Sequence, residues 1–151
     1  MTTKSPFGLA PSTTAQNSAL EYNAATNAVR QVLSFQIDTA YVPAGITVTR
    51  GGFVLNHTTG HWNQNVTVNN QGTNAIQGTL NLVLDNLSAN ASLYGTNGTT
   101  TLLAPIGSSF VTLPVTNINA GQSVTVTLEF VNPTNAKITY TPRVTAGDAQ
   151  P

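Results

Sequence analysis

An all-β fold, an antiparallel β-sandwich of seven to eight strands with an N-terminal extension, is what this sequence predicts, and three observations carry it. From about residue 31 onward, apolar side chains recur with period two, the signature of strands that bury one face. Clusters of Gly, Pro, Asn and Thr interrupt those runs at intervals of about 8–15 residues, as in antiparallel sandwiches. The 151 residues are the length of one domain. No repeat of about 20–50 residues is present, so the strands belong to one module and not to an array.

Each element can be justified in order. The segment 31–41, QVLSFQIDTAY, places Leu33, Phe35, Ile37 and Tyr41 on one face and Ser34, Gln36 and Asp38 on the other. Pro43-Ala44-Gly45 reads as a turn, followed by ITVTRGGFVLN at 46–56, in which Gly51-Gly52 marks a bulge or a bend. His57-Thr58-Thr59-Gly60 closes a hairpin onto WNQNVTVNN, where Trp62, Gln64, Val66 and Val68 share one parity. Gln71-Gly72-Thr73-Asn74 turns the chain into AIQGTLNLVLDNL, with Leu80, Leu82 and Leu84 alternating with Thr79, Asn81 and Val83.

A polar stretch at about 88–101 leaves room for a short strand at Ser92–Tyr94. The run from Ser109 to Val115 is a further strand, and Pro114 makes its end an edge or a terminus. Ala120-Gly121-Gln122 leads into SVTVTLEFVNP, the cleanest alternation, with Val124, Val126, Leu128 and Phe130 inward and Thr125, Thr127 and Glu129 outward. After Asn132-Pro133-Thr134-Asn135 comes KITYTPRV, which reads as the last strand with Ile138, Tyr140 and Val144 in register. Residues 1–30 differ: they are polar at the start and show neither period, although Ser18 to Glu21 fits a capping box and 19–31 predicts a short helix. The expected organisation is an arm at 1–30, the sandwich at 31–147 and a tail at 148–151.

Composition excludes several functions. Five basic and five acidic side chains give a formal net charge of zero, and charged residues are only 7% of the chain. No basic cluster exists to neutralise phosphates, so a nucleic-acid partner is not expected. The surface must be built from the 25 Thr and 17 Asn, and a neutral surface offers little repulsion against self-association. With no Cys there is neither a disulfide framework nor a thiol nucleophile. The first 15 residues lack the apolar stretch of about 7–15 residues found in a signal peptide. No run approaches the 18 or so apolar residues of a membrane span.

Candidate chemistry is sparse. His57 and His61 flank a turn with no Asp, Glu or Cys close in sequence, and two imidazoles are too few for a structural zinc site. The carboxylates Glu21, Asp38, Asp85, Glu129 and Asp148 form no sequence pair and no calcium loop. Neither a Gly-x-Ser-x-Gly elbow nor a phosphate-cradling glycine motif occurs. No catalytic, metal or cofactor site is therefore predicted, and no enzyme. Trp62 and the four Tyr raise the question of an aromatic platform for a polysaccharide, with Trp62 the named candidate; its parity with Val66 and Val68 favours a core tryptophan, and Tyr41 and Tyr140 also alternate with apolar neighbours. Five Asn-x-Ser/Thr sequons begin at Asn56, Asn65, Asn86, Asn90 and Asn97.

Residues 53–144 carry a resemblance. Thr59-Gly60-His61-Trp62, Val66-Thr67-Val68-Asn69 and the run from Gly121 to Pro133 resemble the immunoglobulin-like modules of bacterial secreted and cell-surface proteins. The resemblance covers about 90 of the 151 residues and consists of turn residues and core alternation. It implies an immunoglobulin-like sandwich and an extracellular or cell-surface setting, and it carries no chemistry.

The expected function is a non-enzymatic structural subunit. Its amphipathic strand, through Leu33, Phe35, Ile37 and Tyr41, would either complete its own sandwich or fill a groove in a neighbour. Repeated head to tail, the second arrangement makes a homopolymer, a fibre or sheath. Low charge favours it, because edge strands normally guard against association with charges, and only Arg30, Arg50, Lys137 and Arg143 are available here. The competing readings are a spacer or carbohydrate-binding, adhesive module of a larger secreted protein, and a viral decoration or tail protein.

Overall fold

The computed structural model describes residues 39–147 and 149–151. The predicted helix at 19–31, the arm, and Leu33, Phe35 and Ile37 lie outside the described residues. Eleven strands form there and no helix: β1 (Ala40–Tyr41), β2 (Ile46–Asn56), β3 (His61–Asn70), β4 (Ile76–Gln77), β5 (Thr79–Asp85), β6 (Ser92–Leu93), β7 (Gly98–Thr99), β8 (Ser109–Thr112), β9 (Asn117–Ile118), β10 (Ser123–Val131) and β11 (Thr141–Gly147). The expectation of seven to eight is too low, because five of these strands are two residues long and so short a pairing leaves no periodicity in sequence. All pairings are antiparallel, in a four-stranded sheet ordered β2-β3-β10-β6, a five-stranded sheet ordered β1-β11-β5-β8-β7, and the ribbon β9-β4.

The β2–β3 hairpin forms where the sequence predicts it. The Asn56 side-chain oxygen accepts from the Thr58 and Thr59 amides at 2.9 and 3.3 Å, and the Gly60 amide donates to the Asn56 carbonyl at 2.7 Å. Register shifts between Arg50 and Phe53, so Gly51-Gly52 is indeed a bulge. The Gln64 amide donates to the freed Gly51 carbonyl at 2.7 Å.

Cross-strand register then aligns the apolar residues. Val66 and Val68 of β3 stand opposite Val126 and Val124 of β10, while Leu82 and Leu80 of β5 stand opposite Val144 and Ala146 of β11. Side chains from both larger sheets share one apolar cluster that includes Leu80, Leu82, Leu84, Leu128 and Phe130, the sandwich-like arrangement that burying one face of each sheet demands.

Two departures from expectation matter. Ile138 and Tyr140 are buried as predicted, but they lie in the segment 132–140, which carries no strand pairing and crosses from β10 in one sheet to β11 in the other. The face of β5 opposite the leucines is not solvated either, since Asn81, Val83 and Asp85 are all at most 5% exposed. The segment 96–108 is tied down beside that face. The Asn97 amide and the Thr96 hydroxyl both bond the Phe110 carbonyl, at 2.9 and 3.0 Å. The amides of Thr101, Leu102 and Leu103 all donate to the Pro151 carbonyl oxygen, at 3.1, 2.6 and 2.8 Å, so Pro151 is bonded to this segment.

Gly147 fixes how β1 docks. It adopts φ +127°, and a Cβ there would run into the Thr39 carbonyl just before β1. Gly147→Ala is therefore expected to cost about 1–3 kcal/mol, while Gly52→Ala, where a Cβ meets nothing within 4 Å, is expected to be close to neutral. Urea midpoints of the two variants check this, and equal midpoints would contradict it.

Candidate functional site

Among the described residues, Asp85, Arg143, Arg50, Tyr140, His61 and Glu129 are engaged in structural contacts. Asp85 lies at the end of β5, and β11 pairs with that strand so that Thr141 stands opposite it. Arg143, two residues on, reaches back to clamp both carboxylate oxygens: Nε to Oδ2 at 2.7 Å and Nη2 to Oδ1 at 2.9 Å. The Ser108 hydroxyl donates to Oδ1 at 2.6 Å. Arg143 further donates to the Leu103 and Pro105 carbonyls, pinning the 96–108 segment. Burial alone would push the Asp85 carboxyl up. The hydrogen bonds from Arg143 and Ser108 and the guanidinium's charge outweigh that and hold it below its ordinary value.

A second network closes the bulge. Tyr140 donates its phenol to Gln64 Oε1 at 2.5 Å, and Arg50 donates to the Tyr140 carbonyl at 2.9 Å with its guanidinium 4.8 Å from the ring centroid. Burial pushes the Tyr140 phenol above its ordinary value, with Arg50 opposing the shift. Arg50 and Arg143, two of the four cations available to guard edges, are thus turned to internal partners.

His61 Nδ1 is 2.9 Å from Glu129 Oε2, and its ring packs 4.7 Å from that of Tyr94 at 46°. His57 stays in the exposed turn. Among the described residues, no three His, Cys, Asp or Glu side chains gather as metal ligands, and no helix is long and apolar enough to cross a membrane.

Trp62 is half-buried. Its indole donates to the Asn135 side-chain oxygen at 3.0 Å, and it packs partly against the core cluster. With Phe53 it walls a cleft of about 210 Å³ floored by Ile138 and rimmed by Asn132, Asn135 and Lys137. Asn135 holds φ +56°, which turns the crossing segment back over the indole.

Among the described residues, the boundary between the two larger sheets is flanked by two incompletely paired edges. β2, with eleven residues, is an edge strand of the four-stranded sheet. At the facing boundary of the five-stranded sheet, β1 covers only Ala146 and Gly147 of the seven-residue β11. Pro43 then stops the ladder, because it has no N–H to donate. Between the two edges runs a cleft of about 300 Å³ whose walls carry Val42, Pro43, Ile46, Val48, Pro142 and Val144 together with Thr141 and the Asp85–Arg143 pair. Tyr41 is the one strand residue singled out for assembly that falls among the described residues. It pairs with Ala146 of its own sheet, is 45% exposed, and lines a separate cleft with the 70–76 turn.

Sequence reasoning singled out Trp62 and Tyr41 but not the seam, the Asp85–Arg143 clamp or the His61–Tyr94 stack. Each joins residues at least 33 positions apart, and no local pattern reports such contacts. Comparison of the chain with family models, with curated proteins and with solved structures yields no match.

Proposed function

We propose that this chain is a non-enzymatic structural subunit of an extracellular or cell-surface assembly, an immunoglobulin-like sandwich whose open seam receives a strand from a neighbouring copy. The observation that carries this reading is the seam itself: among the described residues, an eleven-residue edge strand and an edge of β11 that β1 pairs at only two residues flank a cleft with Ile46, Val48 and Val144 in its wall. An added strand there would satisfy free backbone groups of both edges and place alternate side chains against Ile46 and Val48. The occupant is the segment bearing Leu33, Phe35 and Ile37, the one early run of this chain with the required period and no Lys or Arg. The two charges in the seam wall, Arg143 and Asp85, are bonded to each other, Arg50 is held at the Tyr140 carbonyl and Lys137 lines the clefts by Phe53, so no unpaired charge stands in the seam to oppose such pairing. Because the donating and receiving surfaces differ, the contact is heterologous and propagates.

The test uses light scattering on the full chain. The wild type is expected at masses well above its 15.7 kDa and polydisperse. Phe35→Asp with Ile37→Asp removes the donor, and Val42→Asp, at a residue already 55% exposed, blocks the receiver without threatening the core. Each variant alone is expected at single-chain mass, and their mixture is expected to form a one-to-one complex. A wild type that stays a single chain at high concentration, or a mixture that does not combine, would overturn the reading.

A further inference from the structure

The two larger sheets present opposite surfaces. The outer side of the five-stranded sheet is covered at Asn81, Val83 and Asp85, whereas the outer side of the four-stranded sheet is open and almost free of charge. Register lays its side chains out in rows: Thr47, Asn69 and Ser123 in one, Thr49, Thr67 and Thr125 in the next, then Asn65 with Thr127. Neighbours sit about 4.8 Å apart across the strands and about 6.8 Å apart along them.

These side chains are locked to one another. The Thr67 and Thr125 hydroxyls are 2.8 Å apart, Thr127 donates to Asn65 Oδ1 at 2.7 Å, and Asn69 donates to the Thr49 hydroxyl at 3.2 Å. Each such bond uses part of a group's capacity and leaves amide N–H groups and hydroxyl lone pairs for a ligand. Holding the rotamers in advance lowers the entropy lost on binding.

An aromatic platform closes one end. The Tyr94 amide bonds the Glu129 carbonyl at 2.7 Å, which continues the β6–β10 pairing and places the Tyr94 ring on this outer face. The ring is 56% exposed and rests on His61, itself held by Glu129. This is the opposite side of β3 from Trp62, whose indole turns to Asn135.

We propose that this outer face binds an uncharged, extended polysaccharide of the β-glucan kind, with one sugar ring stacked on Tyr94 and the following hydroxyls bonded by the Thr and Asn rows. Three features select that ligand class. Hydroxyls and amides both donate and accept, as sugar hydroxyls do. The face offers no Lys or Arg for the carboxylates or sulfates of an acidic polysaccharide. It also lacks the apolar centre that a protein partner would need to desolvate.

The inference does not depend on assembly, so the test runs in the Phe35→Asp, Ile37→Asp background. Electrophoresis of the full chain through gels containing hydroxyethylcellulose, a soluble mixed-linkage β-glucan or alginate reads binding as retardation. Both neutral glucans are expected to retard it and alginate is not. Tyr94→Ala should weaken the interaction about tenfold, Tyr94→Trp should restore it, and Thr125→Arg should abolish it, all with unchanged unfolding midpoints. Absence of retardation by both neutral glucans, retardation by alginate alone, or retardation that survives Tyr94→Ala undiminished would each overturn the proposal. If Thr125→Arg fails to fold, the Tyr94 pair decides by itself.

Discussion

Arg143→Met is expected to cost about 3–5 kcal/mol, because it leaves the Asp85 carboxylate buried without its counter-charge. Asp85 is 5% exposed, and the bidentate clamp together with the Ser108 hydroxyl supplies its close partners. Arg143 also holds the Leu103 and Pro105 carbonyls, so the same variant should loosen the 96–108 segment and expose it to proteolysis before global unfolding. Asp85→Leu combined with Arg143→Met removes both charges and should recover most of the loss. Urea unfolding of the three proteins measures this, and a double variant no more stable than Arg143→Met would show that the damage is not the orphaned charge.

The same pair sets the acid limit. The Asp85 carboxyl is held below its ordinary value in the folded chain, so its contribution is complete above the unfolded-state value of about 3.9 and is lost as pH falls through the lower folded value. Wild-type stability should therefore decline below about pH 4, and that part of the decline should be missing in the double variant. Identical stability–pH curves for the two proteins below that point would assign the acid sensitivity elsewhere.

Phe130→Ala is expected to cost about 3–5 kcal/mol by a different route, a cavity at the centre of the shared core. Phe130 is fully buried on β10, with Trp62 on one neighbouring strand and Leu93 on the other. Its ring meets Phe53 edge-on at 5.6 Å and lies 5.9 Å from Tyr140 of the crossing segment. Truncation thus empties the point where the hairpin, β10 and the 132–140 crossover converge, and backbone on several sides prevents collapse into the space. Phe130→Leu keeps most of the volume and should lose under about 1.5 kcal/mol. Equal midpoints for the Ala and Leu variants would place the cohesive centre of the fold somewhere other than this ring cluster.

How much of this was legible beforehand follows the range of each interaction. The inward set Val124, Val126, Leu128 and Phe130 and the set Leu80, Leu82 and Leu84 could be read directly, since alternation along a strand is a property of consecutive residues. The Gly51-Gly52 bulge and the 57–60 turn were equally visible, because paired glycines inside an alternating run mark a break in register and the turn uses the Asn56 side chain and a positive-φ Gly60 at fixed offsets. Ile138 and Tyr140 show the limit of that reading. Their spacing correctly marks them as buried, yet a crossing segment beside the core buries alternate residues as a strand does.

The candidate sites were much less visible. Arg50 and Arg143 look like unpartnered edge charges from their alternating neighbours, and only the pairing of β11 with β5 and the approach of 137–140 to the bulge give them partners within the fold. Tyr94 looks like one residue in a polar stretch until β6 aligns with β10 and sets its ring beside the Thr and Asn rows. By itself the sequence determined the strand class, the faces that enter the core, the principal turns and the scarcity of charge, because each follows from local sterics or from composition. Tertiary structure alone decided which strands share a sheet, which edges remain open, and which carboxylate meets which guanidinium. Those outcomes join residues tens of positions apart, and they are fixed by the competition among whole-chain pairings that only the folded arrangement resolves.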